Sequence, residues 1–145
     1  MTAITQLATI ERNLPKSQAD WDRLFVEFLQ WQRTIQGMQW QPITLQNGWT
    51  AYGATYAPPQ YYVDASGRLF CRGLLSAGTV TDGTVIFTLP FTPSYRVLTF
   101  GQGYTTTTTY QPVRIDVLQN GNVEVYNAAS LAWLSLDQFN FSLIQ

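Results

Sequence analysis

The sequence predicts a mainly β protein, an antiparallel sandwich or barrel, behind an N-terminal helical segment. Three observations predict it. The spacing of apolar residues changes from a heptad to a two-residue period near residue 40. Turn pairs such as Asn47-Gly48, Asp82-Gly83 and Asn120-Gly121 punctuate the later part, and glycine first appears at Gly37. Charge is unevenly spread as well. Arg12, Lys16, Arg23 and Arg33 with Glu11, Asp20, Asp22 and Glu27 fall before residue 40, leaving few charges for the rest. The boundaries are therefore set at 1–40 for the helical segment and 41–145 for the β-domain.

In the helical part, Trp21, Leu24, Phe28, Trp31, Ile35 and Met38 alternate steps of three and four, the a/d spacing of a coiled coil. Leu7, Ile10 and Leu14 fall in the same register. Pro15 interrupts the backbone, and Ser17 followed by Asp20 is a capping box. The spacing predicts a short helix over 3–13, a break, and a helix over 17–38. Two packings satisfy this seam. The helix packs on identical helices of other chains, or it lies on its own β-domain. Phe25, Val26 and Leu29 widen the apolar stripe and favour burial on more than one side.

From Pro42 onward the expected strands are 43–46, 61–64, 68–72, 73–78, 85–89, 95–100, 113–118, 123–126, 131–136 and 139–144. Ala65-Ser66-Gly67 and Gln119-Asn120-Gly121-Asn122 are hairpin loops. Pro90 ends the β-branched and aromatic run before it. Gly101-Gln102-Gly103-Tyr104, the threonines 105–109 and Tyr110 form an uncharged low-complexity patch, expected to be an exposed loop or an edge hairpin.

The chemical inventory is short. There is no histidine, so neither the commonest metal ligand nor the commonest general base is available. The single cysteine, Cys71, permits no intrachain disulfide and is expected to be a buried, inert thiol. No phosphate-binding glycine loop occurs, and the Gly101/Gly103 pair is followed by no helix signal. Asp64 and Asp82 read as turn residues capping their local backbone, and Asp116 with Arg114 as a solvated ion pair on a strand face. No catalytic residue, metal or cofactor is expected, and the chain is read as not an enzyme. Eight basic and nine acidic residues give a net charge of −1, which is no footprint for nucleic acid. The first residues lack a basic start followed by an apolar stretch, so no secretory signal is expected, and no apolar run is long enough for membrane insertion.

Aromatic and uncharged polar residues are in surplus. Tyr52, Tyr56, Tyr61, Tyr62, Tyr104, Tyr110 and Tyr126 fall in or beside expected loops and strand ends, among many amides and hydroxyls. Flat rings with polar tips suit neutral polyhydroxylated ligands such as carbohydrates, or polar protein interfaces. The candidate contacts for such a ligand or interface are Tyr56, Tyr104, Thr106, Thr108 and Tyr110, against the plainer reading that tyrosines of a β-domain pack at the edge of its core.

Several segments carry a family resemblance. They are Leu45-Gln46-Asn47-Gly48-Trp49, the run from Tyr61 through Asp64 and Gly67 to Leu69, Arg72-Gly73-Leu74-Leu75-Ser76-Ala77-Gly78, Phe87-Thr88-Leu89-Pro90 with Pro93-Ser94-Tyr95-Arg96, and Val123-Glu124-Val125-Tyr126 with Trp133 to Phe139. In order and spacing they resemble the head domain of tailed-bacteriophage tail-fibre and receptor-binding (baseplate) proteins, over residues 43–145. The resemblance implies a homotrimer with jelly-roll-like β-sandwich heads about a threefold axis. It implies a virion location on the phage tail and adhesion to a host-surface saccharide or protein without cleavage. The seam Leu7, Ile10, Trp21, Leu24, Phe28, Trp31, Ile35 and Met38 would then be a trimer stalk. The segment up to Leu14 would dock on another tail or baseplate protein. A purely structural virion protein, a capsid decoration or tail fitting, is the alternative.

Overall fold

The computed structural model describes residues 17–37, 39–106 and 108–143, with the backbone alone for 33–37. The chain divides into two compact units between Gly37 and Met38.

The first unit contains helix α1, Gln18–Gly37. Ser17 caps it. Its hydroxyl accepts the N–H of Asp20 at 3.1 Å, which satisfies one of the donors that a helix start leaves free, and its carbonyl accepts the first helical bond, from Trp21 at 3.2 Å. Asp20 in the first turn suits the positive end of the helix dipole. Trp21, Leu24, Phe28 and Trp31 follow one another along the helix, and all four are exposed, as are Phe25, Val26 and Leu29. The Phe28 and Trp31 rings lie 5.9 Å apart. Ile35 is within the helix. Leu7, Ile10, Met38 and the short helix expected over 3–13 lie outside the described residues.

The second unit holds the strands. In chain order they are β1 (Gln41–Pro42), β2 (Thr50–Ala51), β3 (Gln60–Val63), β4 (Arg68–Arg72), β5 (Leu74–Ser76), β6 (Thr84–Thr88), β7 (Val97–Thr105), β8 (Tyr110–Val117), β9 (Asn122–Tyr126), β10 (Leu131–Ser135) and β11 (Asn140–Ser142). They form two antiparallel sheets, β1-β3-β4-β11 and β2-β5-β10-β7-β8-β9-β6. One hydrophobic core takes side chains from both. Leu69, Cys71 and Phe141 come from the smaller sheet, and Leu75, Phe87, Val113, Ile115, Val123 and Leu134 from the larger. Alternation along β8 illustrates the patterning: Val113, Ile115 and Val117 are buried on one face while Tyr110 and Pro112 are exposed on the other. The fold is thus mainly β, antiparallel and sandwich-like, with one helix among the described residues.

The connections fill the core too. Trp49 is buried and donates its indole N–H to the Thr79 carbonyl at 3.0 Å. Phe139, in the turn before β11, meets Phe87 and Phe141 edge-on at 6.3 and 5.5 Å. In β6 a bulge between Val85 and Phe87 turns both Ile86 and Phe87 inward. Cys71 is buried as expected, and burial pushes its thiol far above the ordinary range.

Two expectations are corrected. Residues 43–46 form no strand. Pairing before Asn47 is limited to Gln41–Pro42 and an isolated bridge of Leu45 to Phe87. The Gln46 N–H meets the Ile86 carbonyl at 2.7 Å, and the chain then turns at Asn47 and Gly48, both with positive φ. The 101–110 patch is a hairpin but not an edge. Tyr104 opposes Tyr110, and β7 lies between β8 and β10 in the middle of the larger sheet. Its glycines have a packing reason. A Cβ on Gly103 would come within 2.5 Å of Leu131 Cδ1 and 2.6 Å of Val113 Cγ2, and one on Gly101 would meet Leu134 and Ile115 at 2.8 and 2.9 Å. Overpacking of this kind costs about 1–3 kcal/mol. Gly103→Ala is therefore expected to lower unfolding free energy by ~1–3 kcal/mol in urea denaturation, with an unchanged slope.

Candidate functional site

The outer face of the larger sheet carries a groove of about 400 Å³. Its first wall follows from strand register. Tyr104 of β7 stands opposite Trp133 of β10 and opposite Tyr110 of β8, and directly opposed residues of antiparallel strands project from the same face. The three rings form one cluster. Tyr104 and Trp133 are stacked at 5.2 Å and 11°, while Tyr110 meets Tyr104 edge-on at 4.9 Å and Trp133 at 5.9 Å. Trp133 and Tyr110 line the groove, and Tyr104 backs Trp133.

The second wall comes from the loop after β2. Tyr52 and Tyr56 meet edge-on at 5.3 Å and 89°. Tyr52 is anchored by its N–H to the Leu74 carbonyl at 2.9 Å, and the loop turns through Gly53 and Ala54, both with positive φ. The polar lining is Gln102, Ser135, Asp137 and Gln138. Asp137 is fixed by two hydrogen bonds: Oδ1 accepts the Gly73 N–H at 3.0 Å and Oδ2 accepts the Ser135 hydroxyl at 3.3 Å. Gly73 permits this because its φ is +116° and a Cβ there would lie 2.8 Å from the Pro58 carbonyl oxygen. Asp137 is the one charged side chain of the lining, and no Arg or Lys takes part. A carboxylate offers about four acceptor positions, so ligand donors still find room on it.

Among the candidate contacts read from sequence, Tyr56 and Tyr110 line the groove and Tyr104 supports it. Thr106 and Thr108 sit at the hairpin tip instead. The Thr106 N–H bonds the Ser130 carbonyl at 2.8 Å, and Thr108, with φ +64°, bonds the Thr105 carbonyl at 3.1 Å. Trp133, Gln102 and Asp137 were not singled out from sequence. Strict alternation over 131–135 would not have found Trp133, because a register shift between Leu131 and Trp133 is what sets the ring outward between inward Leu131 and Leu134.

Two carboxylates behave differently from expectation. Asp82 does sit in the turn closed by the Thr84 N–H and the Thr81 carbonyl, but its carboxylate accepts the distant Asn127 N–H at 2.8 Å. Asp116 is not solvated, for its side chain is fully buried. Arg114 forks onto both oxygens at 2.8 and 2.7 Å, and Arg96 Nε reaches Oδ2 at 2.7 Å. Tyr126 lies under the Arg114 guanidinium at 4.8 Å and donates its hydroxyl proton to Glu124 at 2.9 Å. Asp64 is the turn residue expected, accepting the N–H groups of Ser66 and Arg68, both at 2.9 Å. Among the described residues no cluster of three or more His, Cys, Asp or Glu side chains could hold a metal ion. The chain matches no protein-family model, no curated protein and no solved structure.

The Asp116 cluster predicts both a mutational and a pH effect. Removing one partner of a buried pair costs about 3–5 kcal/mol, but both guanidiniums here reach water, so Asp116→Ala is expected to cost ~2–3 kcal/mol in chemical denaturation. Hydrogen bonds from Arg114, then Arg96, hold the Asp116 carboxyl below its ordinary range. The native state therefore binds fewer protons at this site than the unfolded state. Its contribution is complete above the unfolded value near ~4 and drains as pH falls through the lower folded value. The melting temperature of the wild type should fall below pH ~4 more steeply than that of Asp116→Asn.

Proposed function

We propose that this chain is a virion protein, a short trimeric tail fibre of a tailed bacteriophage. Its β-unit is a jelly-roll-like head that adheres to the host surface, and its N-terminal segment attaches it to the tail or baseplate. The observation that carries the adhesive role is the groove walled by Tyr52, Tyr56, Tyr110 and Trp133, with amides and one carboxylate between the rings. Aromatic faces and fixed polar groups are what a sugar or a polar peptide surface requires for stacking and orientation. Nothing in this role requires the ligand to be cleaved.

The trimer rests on α1. This helix of 20 residues exposes Trp21 at 52%, Leu24 at 45%, Phe28 at 47% and Trp31 at 59%. Side chains of that size at heptad spacing are satisfied by identical helices about an axis. Light scattering is expected to give three times 16.4 kDa for the full chain, and a monomer would sink the seam. A trimer that survives deletion of residues 1–40 would place the main interface in the β-unit.

The adhesive role is checked by cell binding over a panel of bacterial strains. Labelled full-length protein should bind at least one strain, and Trp133→Ala should reduce that binding at least tenfold with its melting temperature little changed. A structural tail or capsid fitting is the second reading. It is favoured by Leu98 and Phe100, which are exposed at 52% and 56% on the outer face of β7, where a neighbouring virion protein would cover them. That reading expects no binding to any cell.

A further inference from the structure

The groove also carries information about charge. It is lined by four aromatic rings and one carboxylate, and no cationic side chain neutralises Asp137 there. A second carboxylate on the same sheet face, Asp116, is by contrast matched by two guanidiniums. The rings stand as two perpendicular pairs: Tyr52 meets Tyr56 at 89° and Tyr110 meets Trp133 at 76°. Such an arrangement presents ring faces from several directions, and the negative face of an aromatic ring attracts a cation. Asp137 is fixed by Gly73 and Ser135 rather than left to rotate, so little ordering is needed when a cation pairs with it. An anionic ligand would meet the carboxylate with no compensating charge.

We propose that the groove selects a ligand bearing a substituted ammonium group, placed between the aromatic walls and paired with Asp137. This deepens the adhesive reading and rests on the same site. Two sources share that chemistry: an amino sugar with a free amine, whose ring would stack on Trp133 or Tyr110, and a choline ester, whose methyl groups would fill the space between the ring pairs. Neutral hexoses and N-acetylated sugars stack equally well but lack the charge.

The test is an NMR titration of the full chain following the Trp133 indole N–H, identified by its loss in Trp133→Phe. The probes are glucosamine at a pH where its amine is protonated, choline chloride, glucose and N-acetylglucosamine. Glucosamine or choline should shift the signal at a concentration about tenfold or more below that needed for glucose or N-acetylglucosamine. Whichever of the two acts more tightly identifies the source. Asp137→Asn keeps an oxygen for the Gly73 N–H and removes the charge, so it should erase the preference while leaving the melting temperature near that of wild type. Equal response to charged and neutral probes, or a preference that survives Asp137→Asn, overturns the inference. Cell binding separates this from the broader reading. Adhesion that depends on Trp133 without ammonium selectivity overturns only the ligand class. Ammonium selectivity in a protein that binds no cell leaves the ligand class standing and overturns the adhesive role.

Discussion

Strand β7 has two positions without side chains on its inner face, and the arrangement of the larger sheet depends on them. Methyl groups of Leu131 and Leu134 from β10 and of Val113 and Ile115 from β8 occupy the space that a Cβ at Gly103 or Gly101 would need. The flanking strands therefore close over β7 from both sides, and it runs through the centre of the sheet rather than along its rim. Period-two alternation then sends Leu98, Phe100, Gln102 and Tyr104 outward. A slip of one residue would drive Tyr104 into the core and expose the glycines. Close packing inside thus sets the register that brings Tyr104, Tyr110 and Trp133 together outside.

The same sheet face holds two aspartates in opposite electrostatic situations. Asp116 is closed off beneath Arg96 and Arg114, its oxygens occupied and its pKa depressed by the two guanidiniums. Asp137 is exposed, fixed through one backbone N–H and one hydroxyl, and faces a groove without basic residues. In a chain with so few charges, each unpaired one is conspicuous. The first carboxylate joins Arg96, which precedes β7, to β8, and the second ties the turn after β10 to Gly73 while facing the groove. Residue type alone gives no hint of this division, because both are single aspartates on strands or turns.

Much of the fold was legible in the sequence. Local signals did well where local chemistry decides the outcome. The Ser17 cap, the Asp64 turn, the Asn120-Gly121 hairpin and the alternation of Val113, Ile115 and Val117 all follow from neighbours within a few residues. Reading failed where distant partners decide. Residues 43–46 have a strand-like composition, but their hydrogen bonds go to Pro59 and Ile86, scattered over two places. The threonine-rich patch looked like a rim because it lacks bulky aliphatic residues, yet that lack is what lets β10 and β8 approach. The groove was half legible. Tyrosines near loops were a fair signal, whereas Trp133, Gln102 and Asp137 meet only through cross-strand register between segments some thirty residues apart.

The proportions of the groove bear on how such a module would work. It is open to solvent, and its polar groups are few, so one copy offers a small ligand limited burial and few orienting hydrogen bonds. Weak single-site binding is the physical expectation for that geometry. In the proposed trimer the three grooves would be carried on one particle and engage a surface where ligands repeat. The second and third contacts are then intramolecular, and avidity exceeds single-site affinity by roughly 10²–10⁴ without any new contact. Attachment could then be firm while each groove still releases and rebinds, which lets an attached particle move across a repetitive surface. The exposed seam of α1 and the shallow aromatic groove are complementary on this account, because the first supplies the copies that make the second sufficient.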